Sequence, residues 1–316
     1  MSTPAVAIII PAYKPDFLRA TLDSIAAQTV KDFHVYVADD CSPHDLHAIV
    51  KDFENILPLT YHRFEKNMGG SDLVGHWHRS IRLSGDEKWI WMWSDDDIMQ
   101  PRCIESFLQL PTETRSSSLV HFQLDILDSA TGQLIPSPRY PEHLSADEYL
   151  RGKLTGSLTS YVVEFIFPRS LYLRAGGFEN FDLAWGADFM TWVKMAALSD
   201  GIVTVDAPES KVLWRRSDLN ISPDFSYPTT LRKLSALIDN AAFLKSFMKE
   251  HPESFPSTGP TFRWLRFPLG EIYRKRSILK PSDILRLNHR YRRQVGFAAQ
   301  ATAACGASLI SKTLKR

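Results

Sequence analysis

The sequence predicts an α/β protein: a three-layer core on a mainly parallel sheet, followed by a helical C-terminal extension. Three observations carry this. Short apolar or β-rich runs alternate with helical stripes through the first hundred residues. Residues 5–10 (AVAIII) are apolar without interruption, the mark of a strand covered on both faces. Residues 227–249 hold the clearest helical period, through Leu231, Leu234, Leu237, Ile238, Ala241, Phe247 and Met248.

Taken in order, the first strand (5–10) is broken by Pro11 and Pro15, and Phe17, Leu18, Thr21, Leu22 and Ile25 then recur at helical spacing. Residues 33–38 (FHVYVA) form a second strand that ends at Asp39 and Asp40. Leu46, Ile49, Val50 and Phe53 make a helical stripe, and residues 59–64 a third strand. A loop with Asn67, Gly69 and Gly70 leads into a helix that runs to about residue 83. Residues 89–93 form the fourth strand, with Asp95, Asp96 and Asp97 at its carboxyl end. This β-α-β-α order implies parallel strands with helices on both faces. In such sheets ligands bind beyond the carboxyl ends of the strands, where Asp39, Asp40 and the run Asp95–Asp97 all fall.

The second half is less regular. Residues 119–127 read as one strand with a turn at Thr131 and Gly132, and residues 161–167 as another. Residues 175–178 (AGGF) break the pattern, residues 188–198 read as a helix, and Pro252, Pro256 and Pro260 mark a linker before the tail.

Composition narrows the class. The chain has 316 residues, 44% apolar and 23% charged, enough for a large core and unlike a disordered or repetitive chain. The start, MSTPAVAIIIPAY, has no basic segment before its apolar stretch and reads as a strand rather than a signal peptide. No run approaches the about 20 apolar residues that span a bilayer. Cys41, Cys103 and Cys305 are odd in number and far apart, and read as free thiols of a cytoplasmic protein. The net charge of +1 hides an asymmetry: residues 261–316 carry 13 Lys or Arg against two acidic residues, and the rest of the chain is acidic. Such a tail either pairs within the molecule or meets an anionic surface.

Asp95–Asp97 is the most informative constellation. Three adjacent carboxylates ionise together at low cost only beside a cation, and Mg²⁺ or Mn²⁺ favours such oxygen ligands. The competing reading is a cap: Asp97 stands before Pro101 and Ile104 and can start a helix. Asp39 and Asp40 read equally as hydrogen-bond acceptors for a nucleoside or as a turn. Asp188 reads as a general base or as an acid favoured by the helix dipole. His76 and His78, two apart on a helix, face different directions and make no zinc site, and no glycine-rich phosphate loop or Gly-x-Ser-x-Gly elbow is present.

The segments IIIPAYKP, VYVADDCS, NMGGS, WMWSDDDIMQP, AGGFEN and WGADF, in that order across residues 5–222, resemble the family-two inverting glycosyltransferases of the GT-A, Rossmann-like fold. The resemblance implies a GT-A domain over residues 1–225 and a helical, basic extension over 226–316. It implies transfer of a sugar, with inversion, from a nucleotide diphosphate donor, expected to be a UDP-sugar, to an acceptor hydroxyl, in the synthesis of a bacterial surface polysaccharide or glycolipid. Carried over by position, Pro11 and Tyr13 pack on the nucleobase, Asp40 reads it, Asp95 stands near the ribose, Asp96 with Asp97 holds Mn²⁺ or Mg²⁺, and Asp188 is the general base. Arg215 and Arg216 meet the diphosphate. The chain departs from the pattern at Lys14, where an asparagine is usual, at Ser94, where an aspartate is frequent, at Ala187, and at Ser217, where a histidine is frequent. The rival readings are a metal-dependent nucleotidyltransferase and a non-catalytic sugar-nucleotide-binding module. The expected partners are the donor, a saccharide or lipid-linked saccharide acceptor, and an anionic membrane surface met by the tail from the cytoplasmic side. Nucleic acid is not expected, since no recognition motif accompanies the charge.

Overall fold

Strand β1 (Val6–Ala12) lies inside an eight-stranded sheet, and both its faces are apolar. Val6, Ile8 and Ile10 point into a core with Leu18, Leu22 and Ile25 of the helix Leu18–Ala26, all fully buried. The alternate residues Ala7 and Ile9 are equally buried, and the helix Leu73–Ile81 packs against β1 and its neighbour. Burying such a side chain contributes about 1.5–3 kcal/mol each. In this computed structural model the described residues are 3–218, 224–297 and 303.

β2 (Phe33–Asp39), β3 (Leu59–Arg63) and β4 (Trp89–Met92) join β1 as parallel neighbours, in the order β3-β2-β1-β4. β5 (Ile98–Met99) follows the acidic run. β6 (Leu119–Phe122), β7 (Leu124–Asp128), β8 (Leu134–Pro136), β9 (His143–Leu144), β10 (Phe165–Pro168), β11 (Ile202–Val205) and β12 (Val212–Arg216) complete the strands. The eight-stranded sheet continues β4-β10-β6-β11-β9, with β10 and β9 antiparallel to their neighbours. β5, β12, β7 and β8 make a second sheet of four.

The single strand expected over residues 119–127 is two strands in two sheets. Gln123 stands between them, its amide bonded to Tyr140 N (3.1 Å) and Tyr140 O (2.9 Å), while its carbonyl accepts from Val212 N at 3.0 Å. The chain changes partners there, and the period-two pattern runs on through the change. The strand expected over 161–167 is shorter, Phe165–Pro168.

The described residues divide into two compact units. One holds the residues up to Glu179 together with Thr191–Asp218; the other holds Asn180–Met190 and the described residues from 224 on. In the second unit the long helix Tyr227–Glu250 is joined by the helices Phe262–Leu265, Phe267–Arg274 and Pro281–Gln294. Leu265, Leu269, Ile272, Ile284, Leu287 and Tyr291 are buried. Arg290 donates to both carboxylate oxygens of Asp239 at 2.8 Å, and Tyr227 donates to Asp283 at 2.8 Å. The prolines expected to form a linker include a short 3₁₀ turn, Pro252–Ser254. Among the described residues no helix is long and apolar enough to cross a membrane. Cys41 and Cys103 are free thiols, and Cys305 lies outside the described residues.

Candidate active site

Because β2, β1 and β4 run parallel as neighbours, their carboxyl ends share one edge of the sheet. Asp40 follows β2, Tyr13 and Lys14 follow β1, and Asp95–Asp97 follow β4. Pro11 lies within β1, opposite Ala38. Tyr13 is 43% exposed, an aromatic face open at that edge.

Asp95 ties the ends of β4 and β1 together: its Oδ2 accepts the main-chain N–H groups of Tyr13 and Lys14, both at 2.8 Å. The Lys14 ammonium reaches back to Asp96 Oδ2 at 3.0 Å and lies 3.9 Å from Asp95 Oδ1. Ser94 donates its hydroxyl to the other oxygen of Asp96. Asp97 Oδ1 accepts the Arg215 main-chain N–H at 2.6 Å, and Arg215 Nε donates to the Asp96 carbonyl at 2.6 Å. The Arg215 guanidinium lies 4.2 Å from the centre of the Phe17 ring. Thr21 donates to the Asp97 carbonyl at 2.9 Å. The pairing of β5 with β12 directs this approach, since Val212 lies opposite Met99 and Leu213 opposite Ile98.

All three carboxylates are buried. Burial and the neighbouring Asp96 charge push Asp95 up to about 6, against the pull of Lys14 and the two N–H bonds. Asp97 is raised well above the ordinary range by burial and by Asp96, against its bond to Arg215. Ionising the run is therefore costly, first because it is buried and then because its carboxylates repel one another. Hard oxygen donors short of positive charge suit a divalent cation, and Asp96 and Asp97 are the residues that would hold it. Among the described residues no three His, Cys, Asp or Glu side chains group into a metal site.

Asp40 has a different environment. Its carboxylate accepts from Met68 N (2.8 Å), Gly69 N (2.7 Å), Asn67 Nδ2 (2.9 Å) and the Arg79 guanidinium. Those bonds use the lone pairs a carboxylate offers, so Asp40 holds the loop at residues 67–70 in position. A Cβ on Gly69 would lie 2.8 Å from Asp40 Oδ2, which explains the glycine there. Cys41 adopts φ 55°, a conformation uncommon outside glycine, and the turn lets Ser42 donate to Asp39 Oδ1 (2.7 Å) and to Tyr13 O (2.6 Å). Sequence reasoning missed Arg79, Phe17, Thr21 and the Ser94 contact. The loop NMGGS was visible, but its attachment to Asp40 was not.

Arg216 is not brought to the acidic run. Successive residues of β12 point to opposite faces, and Arg216 is bonded to Asp128 Oδ2 at 2.6 Å. Asp188 stands, half-buried, in the first turn of the helix Ala187–Ala197, and belongs to the second unit. The loop ahead of it is fixed within that unit. Asn240 donates to Trp185 O at 3.1 Å, Arg232 pairs with Asp182 at 2.6 Å, and Gly186 at φ +81° leaves room for the Asn240 amide.

Solved structures share this architecture. TarS residues 1–349 of S. aureus, in complex with UDP-GlcNAc, align over 94% of this chain and 90% of theirs with a TM-score of 0.59 and 14% identity. A mannosyltransferase of Pyrobaculum calidifontis, in complex with GDP-Man and Mn²⁺, aligns over 99% of this chain and 89% of its own with a TM-score of 0.53 and 16% identity. The fold is that of the GT-A glycosyltransferases. Residues 7–153 match the model of glycosyl transferase family 2. A protein of Haemophilus influenzae named an uncharacterized glycosyltransferase is 24% identical over 177 residues, 55% of this chain. The chain spans about 56% of that relative's length. A second uncharacterized glycosyltransferase of the same organism is 24% identical over 202 residues, covering 64% of this chain and 71% of its own.

Proposed function

We propose that the protein transfers a sugar, with inversion, from a nucleotide diphosphate donor to an acceptor hydroxyl. One observation carries the reading: the ends of β1, β4 and β12 converge on Asp95–Asp97, bringing an exposed aromatic ring, an ammonium and a guanidinium to one acidic edge. A nucleotide diphosphate needs those three things: a surface for its base, cations for its phosphates, and acceptors for its hydroxyls. Donors of this class are bound by TarS and by the Pyrobaculum mannosyltransferase, which supports the reading.

Tyr13 and Pro11 pack on the base, taken to be uracil. Asp95 borders the ribose. Asp40 acts through the loop it holds, residues 67–70. Lys14 and Arg215 offset the charge of the diphosphate as the bond to the anomeric carbon breaks, an electrostatic contribution that is worth most in a site with little water. Mn²⁺ or Mg²⁺ held at Asp96 and Asp97 would act as a Lewis acid on the leaving diphosphate. Asp188 takes the proton of the acceptor hydroxyl while its oxygen attacks the face opposite the leaving group, which inverts the configuration. The acceptor is a saccharide, lipid-linked in the synthesis of a bacterial surface polymer or glycolipid, met from the cytoplasmic side.

The test is product analysis on a panel of nucleotide sugars. Release of a nucleoside diphosphate with an inverted glycosidic product is expected. Release of pyrophosphate would assign a nucleotidyltransferase instead, and binding with no turnover a non-catalytic module.

A further inference from the structure

Lys14 sits where the acidic run should be most open to a cation. Its main-chain N–H is fixed by Asp95 at 2.8 Å, and its side chain folds back so that the ammonium meets Asp96 Oδ2 at 3.0 Å. The second oxygen of Asp96 is taken by Ser94. The ammonium is partly shielded, its side chain 28% exposed against 10% for Asp96. The ammonium thus lies between two carboxylates, at 3.0 Å from Asp96 and 3.9 Å from Asp95.

We propose that Lys14 is a tethered counter-ion that occupies the cation position on Asp96 until a diphosphate and its metal ion arrive together, and that it then transfers to the diphosphate. The inference rests on the reading of Asp96 as a metal ligand for a nucleotide diphosphate. Two like charges near one carboxylate oxygen repel each other, and a group attached to the chain competes at high effective concentration. A free divalent ion must therefore displace Lys14, and among the described residues it finds no group of three protein ligands to repay that. A diphosphate brings further oxygen ligands for the ion and an anionic target for the ammonium, so entry of the pair relieves both costs. Lys14 thus suppresses binding of metal alone and favours binding of metal with donor.

The signature is a pair of changes of opposite sign. In Lys14→Met, the affinity for Mn²⁺ alone, followed by titration calorimetry or by the Mn²⁺ electron spin resonance signal, is expected to rise about tenfold, the effect of about 1.4 kcal/mol. The affinity for UDP at saturating Mn²⁺ is expected to fall by a similar factor. Lys14→Arg, which keeps the charge, is expected to behave like the wild type in both. An unchanged or weaker Mn²⁺ affinity in Lys14→Met overturns the proposal, as does a loss of both affinities together. If no nucleoside diphosphate binds the wild type at any Mn²⁺ concentration, the functional reading fails, while the Mn²⁺ titration alone still decides the role of Lys14.

Discussion

Arg215 donates its main-chain N–H to Asp97 at 2.6 Å, so the strand Val212–Arg216 is fastened to the acidic run by an atom that truncating the side chain leaves in place. Its guanidinium adds a second bond, to the Asp96 carbonyl. Arg215→Ala therefore keeps the main-chain tie to Asp97 and removes the cation, together with its bond to the Asp96 carbonyl and its contact with Phe17. The expected cost is one charge-assisted hydrogen bond to the diphosphate, about 1.5–3 kcal/mol, or about a 10- to 100-fold weaker nucleoside diphosphate affinity by calorimetry. An unchanged affinity would remove Arg215 from the donor site.

The first four strands and the acidic run were legible in the sequence because local patterns determine them: continuous apolar runs for a doubly covered sheet, and carboxylates directly after the last apolar residue. What was not legible depends on contacts distant in sequence. The change of sheet at Gln123 is decided by Tyr140 and Val212, and the meeting of Arg215 with Asp97 spans 118 residues. Arg215 and Arg216 are adjacent and alike in the sequence. Only the strand and its neighbours direct one to the run and the other to Asp128.

His76 provides a pH test of the loop that Asp40 holds. Its ring is buried, its Nδ1 accepts from Arg79 Nε at 3.0 Å, and burial is the main cause of a pKa lowered to about 4. The unfolded chain binds a proton there near pH 6.5, and the folded chain near pH 4. Between these values the unfolded state holds more protons at this ring, so the contribution of His76 to stability falls as pH falls from about 6.5 to about 4, while Asp95, raised to about 6, contributes in the opposite direction with or without His76. His76→Asn is expected to flatten that part of a stability profile measured by urea unfolding at successive pH values. The buried His121, lowered in the same direction, retains some slope. A profile that keeps the full wild-type slope would show that His76 protonates freely in the fold.

Asp188→Asn tests the proposed general base. The substitution keeps size and hydrogen-bonding capacity at the helix start and removes the basic oxygen. Donor affinity is expected to stay within a few-fold of the wild type, while turnover falls about 10²–10⁴-fold. Turnover within a few-fold of the wild type would assign the base to another residue.

The basic helices of the second unit test the membrane reading. Arg263, Arg266, Arg286, Arg292 and Arg293 are exposed, as are Tyr273 and Leu285. Each cation near anionic lipid contributes about 1 kcal/mol. Replacing these five arginines with glutamine leaves the buried side chains of the helices in place. Co-sedimentation with phosphatidylserine vesicles is expected to fall to background in the variant, and to weaken with salt in the wild type. Equal, salt-insensitive partitioning of the two proteins would refute membrane binding through this surface.

The most direct test of the donor site is calorimetric titration of UDP and of the UDP-sugar turned over, with and without Mn²⁺, into the wild type and Asp96→Asn. The account predicts that Mn²⁺ strengthens donor binding to the wild type and that Asp96→Asn loses this strengthening while its unfolding transition is retained. Donor binding with the same Mn²⁺ dependence in both proteins would contradict it.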